Sequence, residues 1–185
     1  LYFDIILIDH YQINSTYEKK CSDYASKVVV IDDMANRKHF CDFLIDQNFG
    51  RKIADYKKYL PSKSKLLLGS SYFLLREDFY KKNYIKKNKD CNFPIKIFVS
   101  FGASDFHDIT SNVISICNQL AFEYELIILM SSMSPNLKKI KSIALKSSKK
   151  IKLHINPVNV RELMLKSDFG IGSCGITAWE RCYLG

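Results

Sequence analysis

Residues 95–100 read Ile-Lys-Ile-Phe-Val-Ser, and this apolar run, with the segments that follow it, decides the fold. A small polar turn, Phe101–Asp105, comes next. The stretch from His107 to Leu120 then predicts a helix through the spacing of Ile109, Val113, Ile116 and Leu120. The same order repeats, with strands at Glu125–Met130, Ile151–Ile155 and Phe169–Gly172 and helices at Pro135–Leu145, Val158–Ser167 and Ile176–Leu184. Consecutive βα units predict a doubly wound α/β domain whose strand-to-helix turns meet at one edge of a parallel sheet.

Apolar runs of the same kind occur in the first part of the chain. They predict strands at Asp4–Asp9, Lys27–Asp32, Phe43–Asp46 and Lys65–Gly69, and a helix is predicted from Ser15 to Ser26. Because the runs are continuous, they are typical of parallel strands that are covered on both faces. The sequence therefore predicts a second α/β sheet in this part of the chain.

The stretch Tyr80–Phe93 is rich in Lys and Asn, has no hydrophobic period and is followed by Pro94, so it is predicted to be a linker. We expect two Rossmann-like domains with parallel sheets, residues 1–80 and 95–185, joined by a linker at residues 81–94. The chain does not begin with Met, and it ends directly after a helical segment where another strand is expected. Both domains are therefore expected to be incomplete pieces of a longer protein.

The composition is that of a folded protein, since 47% of the 185 residues are hydrophobic and 25% are charged. This excludes a disordered chain, and no apolar run reaches the ~18–20 residues of a membrane span. The net charge of +9 comes largely from lysine clusters. Because they have no interleaved aromatic residues, a solvated surface is favoured over a nucleic-acid partner. The clusters are Lys57-Lys58, Lys81-Lys82, Lys86–Lys89, Lys138-Lys139 and Lys149-Lys150.

The six cysteines form no C-x-x-C pair, so neither a metal site nor a disulfide framework is indicated. Most of them are predicted to be small buried apolar residues. Free thiols are typical of a reducing compartment, and we expect a cytoplasmic protein.

The segment Ile171–Arg181 is the strongest candidate site. Gly172 and Gly175 permit a sharp strand-to-helix turn and close approach of the backbone. The N–H groups at the start of the following helix form a potential anion site. Thr177 and Glu180 are three residues apart and share a helix face, where a carboxylate suits the two hydroxyls of a ribose. An ordinary strand, turn and helix with a surface glutamate remains an alternative.

Three weaker candidates lie elsewhere. In the turn Phe101–Asp105, Gly102 and Ser104 can hold a phosphate or a sugar, although Ser104 or Asp105 can equally cap the next helix. Asp9-His10-Tyr11 follows the first strand and can offer polar groups to a sugar. Alternatively, His10 makes a structural hydrogen bond and Tyr11 packs. Arg76 can contact a ligand, or it can pair with Glu77 or Asp78.

Asp32-Asp33 has the appearance of a carboxylate pair for a metal ion. Adjacent residues on a strand point to opposite sides, however, so metal ligation is disfavoured.

Several of these segments, taken in order, resemble one known family. They are Ile8-Asp9-His10-Tyr11, Val30-Ile31-Asp32-Asp33, the run Ser71–Phe79, the turn Phe101–Asp105, Ser134-Pro135-Asn136-Leu137, and Gly170–Gly185 with Trp179-Glu180-Arg181-Cys182. The resemblance is to the pseudaminic-acid pathway hydrolases, which act on UDP-2,4-diacetamido-2,4,6-trideoxy-β-L-altropyranose. These enzymes are similar in fold to GT-B glycosyltransferases of the MurG type. The resemblance extends over nearly all 185 residues.

The resemblance implies two Rossmann-like domains with a UDP-sugar substrate between them. Water attacks the anomeric carbon, UDP leaves and the sugar is released with inversion, without a metal or a cofactor. The resemblance places Glu180 on the ribose and Tyr11 in the sugar region. The residues along the diphosphate are Gly172, Ser173, Cys174, Gly175, Ile176 and Thr177, and further substrate contacts are Gly102, Ser104, Asp105, Arg76 and Ile155.

The family's catalytic histidine lies in a G-x-G-H loop that this sequence does not contain. The four histidines present, His10, His39, His107 and His154, stand in other contexts. The general base is therefore expected upstream of Leu1, so that this stretch alone is inactive, and a monomer is expected. A GT-B glycosyltransferase that uses a UDP-sugar donor and a non-catalytic nucleotide-binding module remain alternatives.

Overall fold

The computed structural model describes residues 1–80, 93–102 and 104–185 of the chain. Two compact units are present, Leu1–Leu74 and Leu75–Gly185. Each contains a four-stranded parallel sheet with helices between its strands, which confirms the predicted α/β class with two Rossmann-like sheets. Residues 75–80 belong to the second unit, whereas the predicted first domain extended to residue 80. The predicted linker at 81–94 lies outside the described residues except for Phe93 and Pro94.

The first unit has the strand order β1-β2-β3-β4. Its strands are β1 (Phe3–Ile8), β2 (Ala25–Ile31), β3 (Phe43–Asp46) and β4 (Lys65–Leu68). Helix α1 (Ser15–Cys21) connects β1 to β2 and begins where the Asn14 side chain accepts a hydrogen bond from the Tyr17 N–H at 3.1 Å. The one-turn helix α2 (Ile53–Tyr56) lies between β3 and β4, and a 3₁₀ turn (Ser70–Tyr72) follows β4.

Helix α1 is shorter than predicted. The sequence favours a helix from Ser15 to Ser26, but α1 ends at Cys21 and β2 begins at Ala25. Ala25 is buried and lies opposite Phe3 in the sheet. The pairing of β2 with β1 therefore determines the conformation of Ala25 and Ser26, and local helix preference does not.

Strand β1 is not the fully buried strand that its sequence predicts. The side chains of Ile5 and Leu7 are 60% and 58% exposed, whereas Ile8 is buried. β1 lies at the edge of its sheet, and among the described residues the buried core of this unit covers the opposite face of the strand. The members of that core are Ile8, Val28, Val30, Cys41, Leu44 and Tyr56.

The second unit has the strand order β7-β6-β5-β8. Its strands are β5 (Ile95–Ser100), β6 (Tyr124–Met130), β7 (Lys150–Ile155) and β8 (Phe169–Gly172). Its helices are α3 (Ile109–Cys117), α4 (Leu137–Lys146), α5 (Val160–Leu165) and α6 (Ile176–Leu184), and a 3₁₀ helix (Glu77–Tyr80) precedes them. All seven residues of β6 are buried, as expected for an inner strand of a parallel sheet.

Both faces of this second sheet are covered. On one face α3 and α4 pack, through Ile114, Cys117 and Ile140, on the strand residues Val99, Leu126 and Ile128. On the other face α5, α6 and the 3₁₀ helix pack, through Leu163, Leu184 and Phe79, on Phe98, Ile127 and Leu129. Alternate residues of one strand thus serve two cores, which is the arrangement of a doubly wound domain.

The buried face of α3 matches the predicted one only in part. Of the four residues whose spacing predicts the core face, Val113 and Leu120 pack against the core, but Ile109 and Ile116 are exposed. The buried residues of α3 are Thr110, Ser111, Ile114 and Cys117. Helix α3 begins at Ile109 rather than at His107.

Within the described parts of the chain, no helix is both long enough and apolar enough to cross a bilayer.

Candidate functional site

The turns that follow β5 and β8 are neighbours at the carboxyl edge of the second sheet. Ser100, the last residue of β5, lies opposite Gly172, the last residue of β8. The Ser173 N–H donates to the Ser100 carbonyl oxygen at 3.2 Å, which continues the pairing into the turn. Two separate candidate segments of the sequence are thereby brought side by side, at the edge where ligands bind in open α/β sheets.

Gly172 is required by the close approach of two backbones. A Cβ at this position would lie 2.3 Å from the Ser100 carbonyl oxygen and 2.6 Å from the Arg181 Nη1. A backbone oxygen cannot move aside as a flexible side chain can, so no side chain fits. The close approach of the Ser100 carbonyl oxygen therefore explains why position 172 needs a glycine.

Arg181 supports the turn from below, a role that its sequence position alone does not suggest. Its side chain covers Gly170, where a Cβ would lie 2.7 Å from the Arg181 Cδ, and its Nη2 donates to the Ser173 carbonyl oxygen at 3.1 Å. The Nη1 atom is buried without a hydrogen-bond acceptor. The guanidinium group thus places a positive charge directly beneath the turn.

Gly175 is the N-cap of α6, and the space around its Cα is open. Its φ of −138° and ψ of −160° are ordinary extended values, and a Cβ here would meet nothing within 4 Å. The expected conformational need for glycine is thus absent at 175. Because the cap residue has no side chain, it offers no acceptor to the N–H groups of the first helical turn. Ser173, Cys174, Gly175 and Ile176 are exposed beside these donors, and Thr177 is half-buried.

Glu180 is paired with Arg76, although the two residues are 104 positions apart. The Arg76 Nε donates to the Glu180 Oε1 at 2.7 Å. The Glu180 side chain is only 1% exposed, whereas that of Arg76 is 44% exposed and lies over the Phe79 ring. The alternative of a surface glutamate is therefore wrong, and so is the alternative that Arg76 pairs with Glu77 or Asp78. Arg76 is therefore the member of the pair that solvent reaches.

Asp105 caps helix α3. Its carboxylate oxygens accept hydrogen bonds from the N–H groups of Ile109 at 3.0 Å and Thr110 at 3.1 Å, and the residue is buried. The capping alternative is thus confirmed for Asp105. Gly102 is exposed with a left-handed φ of 82°, so the turn uses glycine's conformational freedom there. Ala103, in the middle of this turn, lies outside the described residues.

The loops after β5, β6 and β7 are joined by hydrogen bonds. The Ser134 Oγ donates to the Ser104 carbonyl oxygen at 2.9 Å, and the Asn136 Nδ2 donates to the Asp105 carbonyl oxygen at 2.6 Å. After β7, the Asn156 Nδ2 donates to the Ser132 Oγ at 2.8 Å. These hydrogen bonds hold the three loops together near Ser104.

Ile155 ends β7 at this same edge and is half-exposed. It lies three strands from β8, which is roughly 14 Å at about 4.8 Å per strand. The structure thus places Ile155 well away from the glycine turn, at the far end of the edge.

In the first unit, the carboxyl ends of β1 and β2 bring Tyr11 to Asp33. The Tyr11 O–H donates to the Asp33 Oδ2 at 3.0 Å. This hydrogen bond, together with the charge of the Asp33 carboxylate, raises the pKa of Tyr11. Tyr11 is 62% exposed, so the alternative that it packs is wrong. The structural alternative for His10 is confirmed, because its Nδ1 accepts the Gln12 N–H at 3.1 Å.

Asp32, the partner in the disfavoured metal pair, belongs instead to a buried ionic network. Its Oδ2 accepts hydrogen bonds from the Ala35 N–H at 2.9 Å and the Tyr56 O–H at 2.8 Å. Its Oδ1 lies 2.8 Å from the Arg37 Nη1 and 3.6 Å from the His39 Nε2. Burial opposes the charge of Asp32, but these donors outweigh it and lower the pKa of the carboxyl group.

His39 is the centre of this network. Its Nδ1 lies 2.8 Å from the Glu18 Oε1, and both side chains are buried. Burial alone would lower the pKa of His39, but the hydrogen bonds and charges of Asp32 and Glu18 raise it to about 9. The imidazole is therefore positively charged at neutral pH. Tyr56 also lies 2.8 Å from the Asp46 Oδ2, and Asp46 pairs with the Arg51 Nε. The charges of His39, Arg37 and Arg51 thus balance the carboxylates of Glu18, Asp32 and Asp46.

The predictions for the cysteines and the lysines hold only in part. Cys41 and Cys117 are buried, but Cys174 and Cys182 are exposed, so the prediction that most cysteines are buried is wrong for those that the structure describes. Several clustered lysines pair with acidic side chains, as Lys149 does with Glu123. The clusters at Lys81-Lys82 and Lys86–Lys89 and Cys91 lie outside the described residues.

Three residues that matter at the two edges were not singled out in the sequence. The sequence suggests for Asp33 only a disfavoured metal pair and gives no role to Asn156 or Arg181. The pattern Gly170-x-Gly172 contained the signal for Arg181, because alternate residues share one face of a strand, and two glycines leave that face open.

The parallel sheets define a Rossmann-like α/β protein, in which an exposed turn and the start of α6 follow Gly172. The sequence is 32% identical over 167 residues to the UDP-2,4-diacetamido-2,4,6-trideoxy-beta-L-altropyranose hydrolase of Campylobacter jejuni, and the alignment covers 90% of this chain and 58% of that protein. This confirms the resemblance predicted from the motifs.

A second relative is an uncharacterised protein of Methanocaldococcus jannaschii, which is 25% identical over 188 residues. That alignment covers 98% of this chain and 39% of the relative. The chain thus spans 58% and 39% of the lengths of these two relatives. No family model matches the chain.

Proposed function

We propose that the full-length protein hydrolyses a UDP-sugar and releases UDP and the free sugar. The proposed substrate is UDP-2,4-diacetamido-2,4,6-trideoxy-β-L-altropyranose, the compound in the name of the Campylobacter jejuni relative. The observation that carries the proposal is the open helix start after Gly172, where backbone N–H groups lie beside the half-buried guanidinium group of Arg181. The similarity to the hydrolase over most of this chain supports the same assignment.

The proposed reaction is an attack by water on the anomeric carbon of the sugar. The bond between that carbon and the diphosphate oxygen breaks, and its electron pair leaves with UDP. We assign the water's proton to a histidine upstream of Leu1, as the resemblance implies. The residues of this chain would bind and orient the nucleotide, with Gly172 and Ser173 beside the diphosphate. The N–H donors at residues 174–177 would stabilise the negative charge that develops on the leaving diphosphate.

The pair Arg76–Glu180 belongs to the same proposal. Glu180 is proposed to bind the ribose hydroxyls, but its carboxylate is buried against Arg76. Ribose binding by Glu180 therefore requires the bond from the Arg76 Nε to open. Arg76 is exposed enough to contact the nucleotide directly, and Gly102, Ser104 and Ile155 are proposed to make the outer contacts. Asp105 is proposed to act here through its backbone, because its carboxylate caps α3.

A matched pair of substitutions at Ser173 tests the nucleotide site. Ser173 is exposed, so neither Ser173→Asp nor Ser173→Ala should disturb folding. In the full-length protein we expect Ser173→Asp to weaken UDP binding at least tenfold, because its charge repels the diphosphate, and Ser173→Ala to change it little. Calorimetric titration with UDP measures both. Equal affinity for the two variants would place the diphosphate elsewhere.

Product analysis tests the reaction itself. Incubation of the full-length protein with the UDP-sugar, followed by NMR, should show UDP and free sugar appearing together. Transfer of the sugar to an acceptor with negligible hydrolysis would contradict a hydrolase and indicate a glycosyltransferase. UDP binding without turnover of the UDP-sugar would indicate a nucleotide-binding module. We also propose a monomer that acts in the cytoplasm.

A further inference from the structure

The side of α4 that faces away from the sheet has a high density of positive charge. Residues 138–150 contain six lysines and no acidic residue. Helix α4 buries Ile140 in the core, and Leu137 and Ile143 pack beside it. One side of the helix is thus apolar and the other is basic. The lysines of the helix are all exposed; they are Lys138, Lys139, Lys141 and Lys146.

Three of the six lysines have no acidic partner in the parts of the chain that the structure describes. They are Lys138, Lys141 and Lys146, whereas the other three lie in ion pairs. The basic side of α4 therefore keeps charge that the described residues do not neutralise. The three ion pairs are Lys139–Asp108, Lys149–Glu123 and Lys150–Glu125.

Two of the unpaired charges oppose the helix that carries them. Lys138 lies in the first turn of α4, where the helix dipole disfavours a cation, and no acidic residue lies in that turn. Lys141 follows three residues later on the same side of the helix, so the two like charges repel each other. Helix stability therefore does not account for Lys138 and Lys141, whereas an external anion would neutralise both.

Leu145 favours a lipid surface over other anionic partners. Its side chain is 88% exposed, and it lies four positions after Lys141 and one before Lys146. An apolar side chain among lysines gains free energy by entering the interface of a bilayer, where the amino groups meet anionic headgroups. Single-stranded nucleic acids are bound by aromatic and arginine side chains as well as by lysine, and residues 137–150 contain neither.

We infer that this side of α4 binds the surface of a membrane that contains anionic phospholipids. Charge complementarity carries the inference, because three cations without acidic partners lie on one exposed helix. The inference does not rest on the proposed function, since α4 packs beside β7 and the turn at Gly172 follows β8, at the opposite edge of the sheet. The residues of this lipid-binding face are Lys138, Lys141, Leu145 and Lys146.

Vesicle sedimentation with the full-length protein tests the inference. Vesicles of phosphatidylcholine alone are compared with vesicles that also contain phosphatidylglycerol, at low and at high salt. We expect binding to the anionic vesicles only, and weaker binding at high salt, because salt screens exposed charges. The triple variant Lys138→Gln/Lys141→Gln/Lys146→Gln should bind at least about tenfold more weakly, since each lysine near an anionic surface contributes about fivefold.

A second triple variant is the matched control. Lys57→Gln/Lys58→Gln/Lys63→Gln removes the same charge from exposed lysines of the first unit, and it should bind anionic vesicles almost as the wild type does. No binding of the wild type to anionic vesicles, undiminished binding by the α4 variant, or equal losses in the two triple variants would overturn the inference. Equal losses would mean that the net charge of +9 acts as a whole.

Thermal unfolding and UDP titration separate the surface from folding and from the nucleotide site. The α4 triple variant should be at least as stable as the wild type, because it relieves the repulsion between Lys138 and Lys141. A lower melting temperature would contradict the argument that the helix does not need these lysines. The affinity for UDP should not change in this variant. If the wild type does not bind UDP, the proposed function fails, whereas the vesicle experiment still tests the lipid-binding face.

Leu145→Ser distinguishes a bilayer from a nucleic acid. The substitution removes an exposed apolar side chain without changing the charge, so it should weaken binding to anionic vesicles severalfold and leave binding to a single-stranded RNA unchanged. Tighter binding to RNA than to anionic vesicles, with no effect of Leu145→Ser on the vesicles, would overturn the lipid assignment and indicate a nucleic-acid surface.

Discussion

The carboxyl edges of the two sheets are built in opposite ways. In the first unit the strand ends bear Asp32 and Asp46, both fully buried and both held by arginine and tyrosine side chains. In the second unit the ends of β5 and β8 are Ser100 and Gly172, and the turn beyond Gly172 is exposed. One edge is filled with charges that bind one another, and the other presents backbone groups to solvent.

The difference shows that a charged residue at a strand end is a poor guide to a ligand site by itself. A carboxylate whose donors are all within the protein stabilises its own loops, as Asp32 does for Met34 and Ala35. An open N–H group has no such partner and remains available to an anion. Among the described residues, the buried cluster of ionisable side chains around His39 is structural, and the turn that we propose as the anion site is made largely of small residues.

The largest effect is expected from Asp32→Ala. Removing this carboxylate leaves the half-buried Arg37 without this partner and the buried His39 with Glu18 alone, which should cost about 3–5 kcal/mol of unfolding free energy. Urea unfolding of the first unit measures it. Asp33→Ala is the matched control, because Asp33 is exposed, and it should cost roughly 0.5 kcal/mol or less. Similar losses for the two neighbours would remove the contrast between the edges.

The next largest effect is expected to be a pH dependence of the unfolding free energy, and its cause is His39. Its pKa is about 9 in the folded unit against 6.5 for a free histidine, because the hydrogen bonds to Asp32 and Glu18 outweigh burial. A raised pKa contributes stability that is fully present below about pH 6.5 and is lost as the pH rises through 9. The loss should be on the order of 3 kcal/mol.

Unfolding measured from pH 6 to pH 10 checks this dependence. The slope between pH 6.5 and 9 should be absent in His39→Gln, which cannot titrate. A wild-type stability that stays level or increases across that interval would show that His39 is uncharged in the fold.

The smallest of the three effects is expected at the open edge. Gly172→Ala forces a Cβ against the Ser100 carbonyl oxygen and should cost about 1–3 kcal/mol, with loss of UDP binding. Gly175→Ala meets nothing within 4 Å and has an ordinary backbone, so the unfolding free energy should change by less than about 0.5 kcal/mol. Thermal unfolding compares the two. Equal destabilisation would mean that the turn does not depend on the contact with β5.

The regular elements of the second unit follow closely from the sequence. β5, β8 and α6 have the predicted boundaries, because apolar runs bounded by polar or glycine residues define them locally. Helix α2 was not predicted, since its four residues are too few to show a helical period. The exposure of Ile5 and Leu7 depends on what packs against β1, and no local pattern contains that information.

The candidate site was predictable only where one segment builds it. The turn at Gly172–Gly175 and the cap at Asp105 are local, and both were recognised as patterns. The Arg76–Glu180 pair joins residues 104 positions apart, and Tyr11–Asp33 joins the ends of two strands. Such pairs depend on the register of sheets and the packing of helices, so residue spacing along the chain does not show them.

The Arg181 side chain that lies over β8 has a consequence for how sequences related to this one are expected to vary. A residue larger than glycine at 170 competes for space with the Arg181 Cδ, so we expect it to be inherited together with a shorter side chain at 181. At 172 the obstacle is the backbone of Ser100, and no compensating exchange exists. The residues at positions 170 and 181 should therefore covary among related sequences, whereas position 172 should always be glycine.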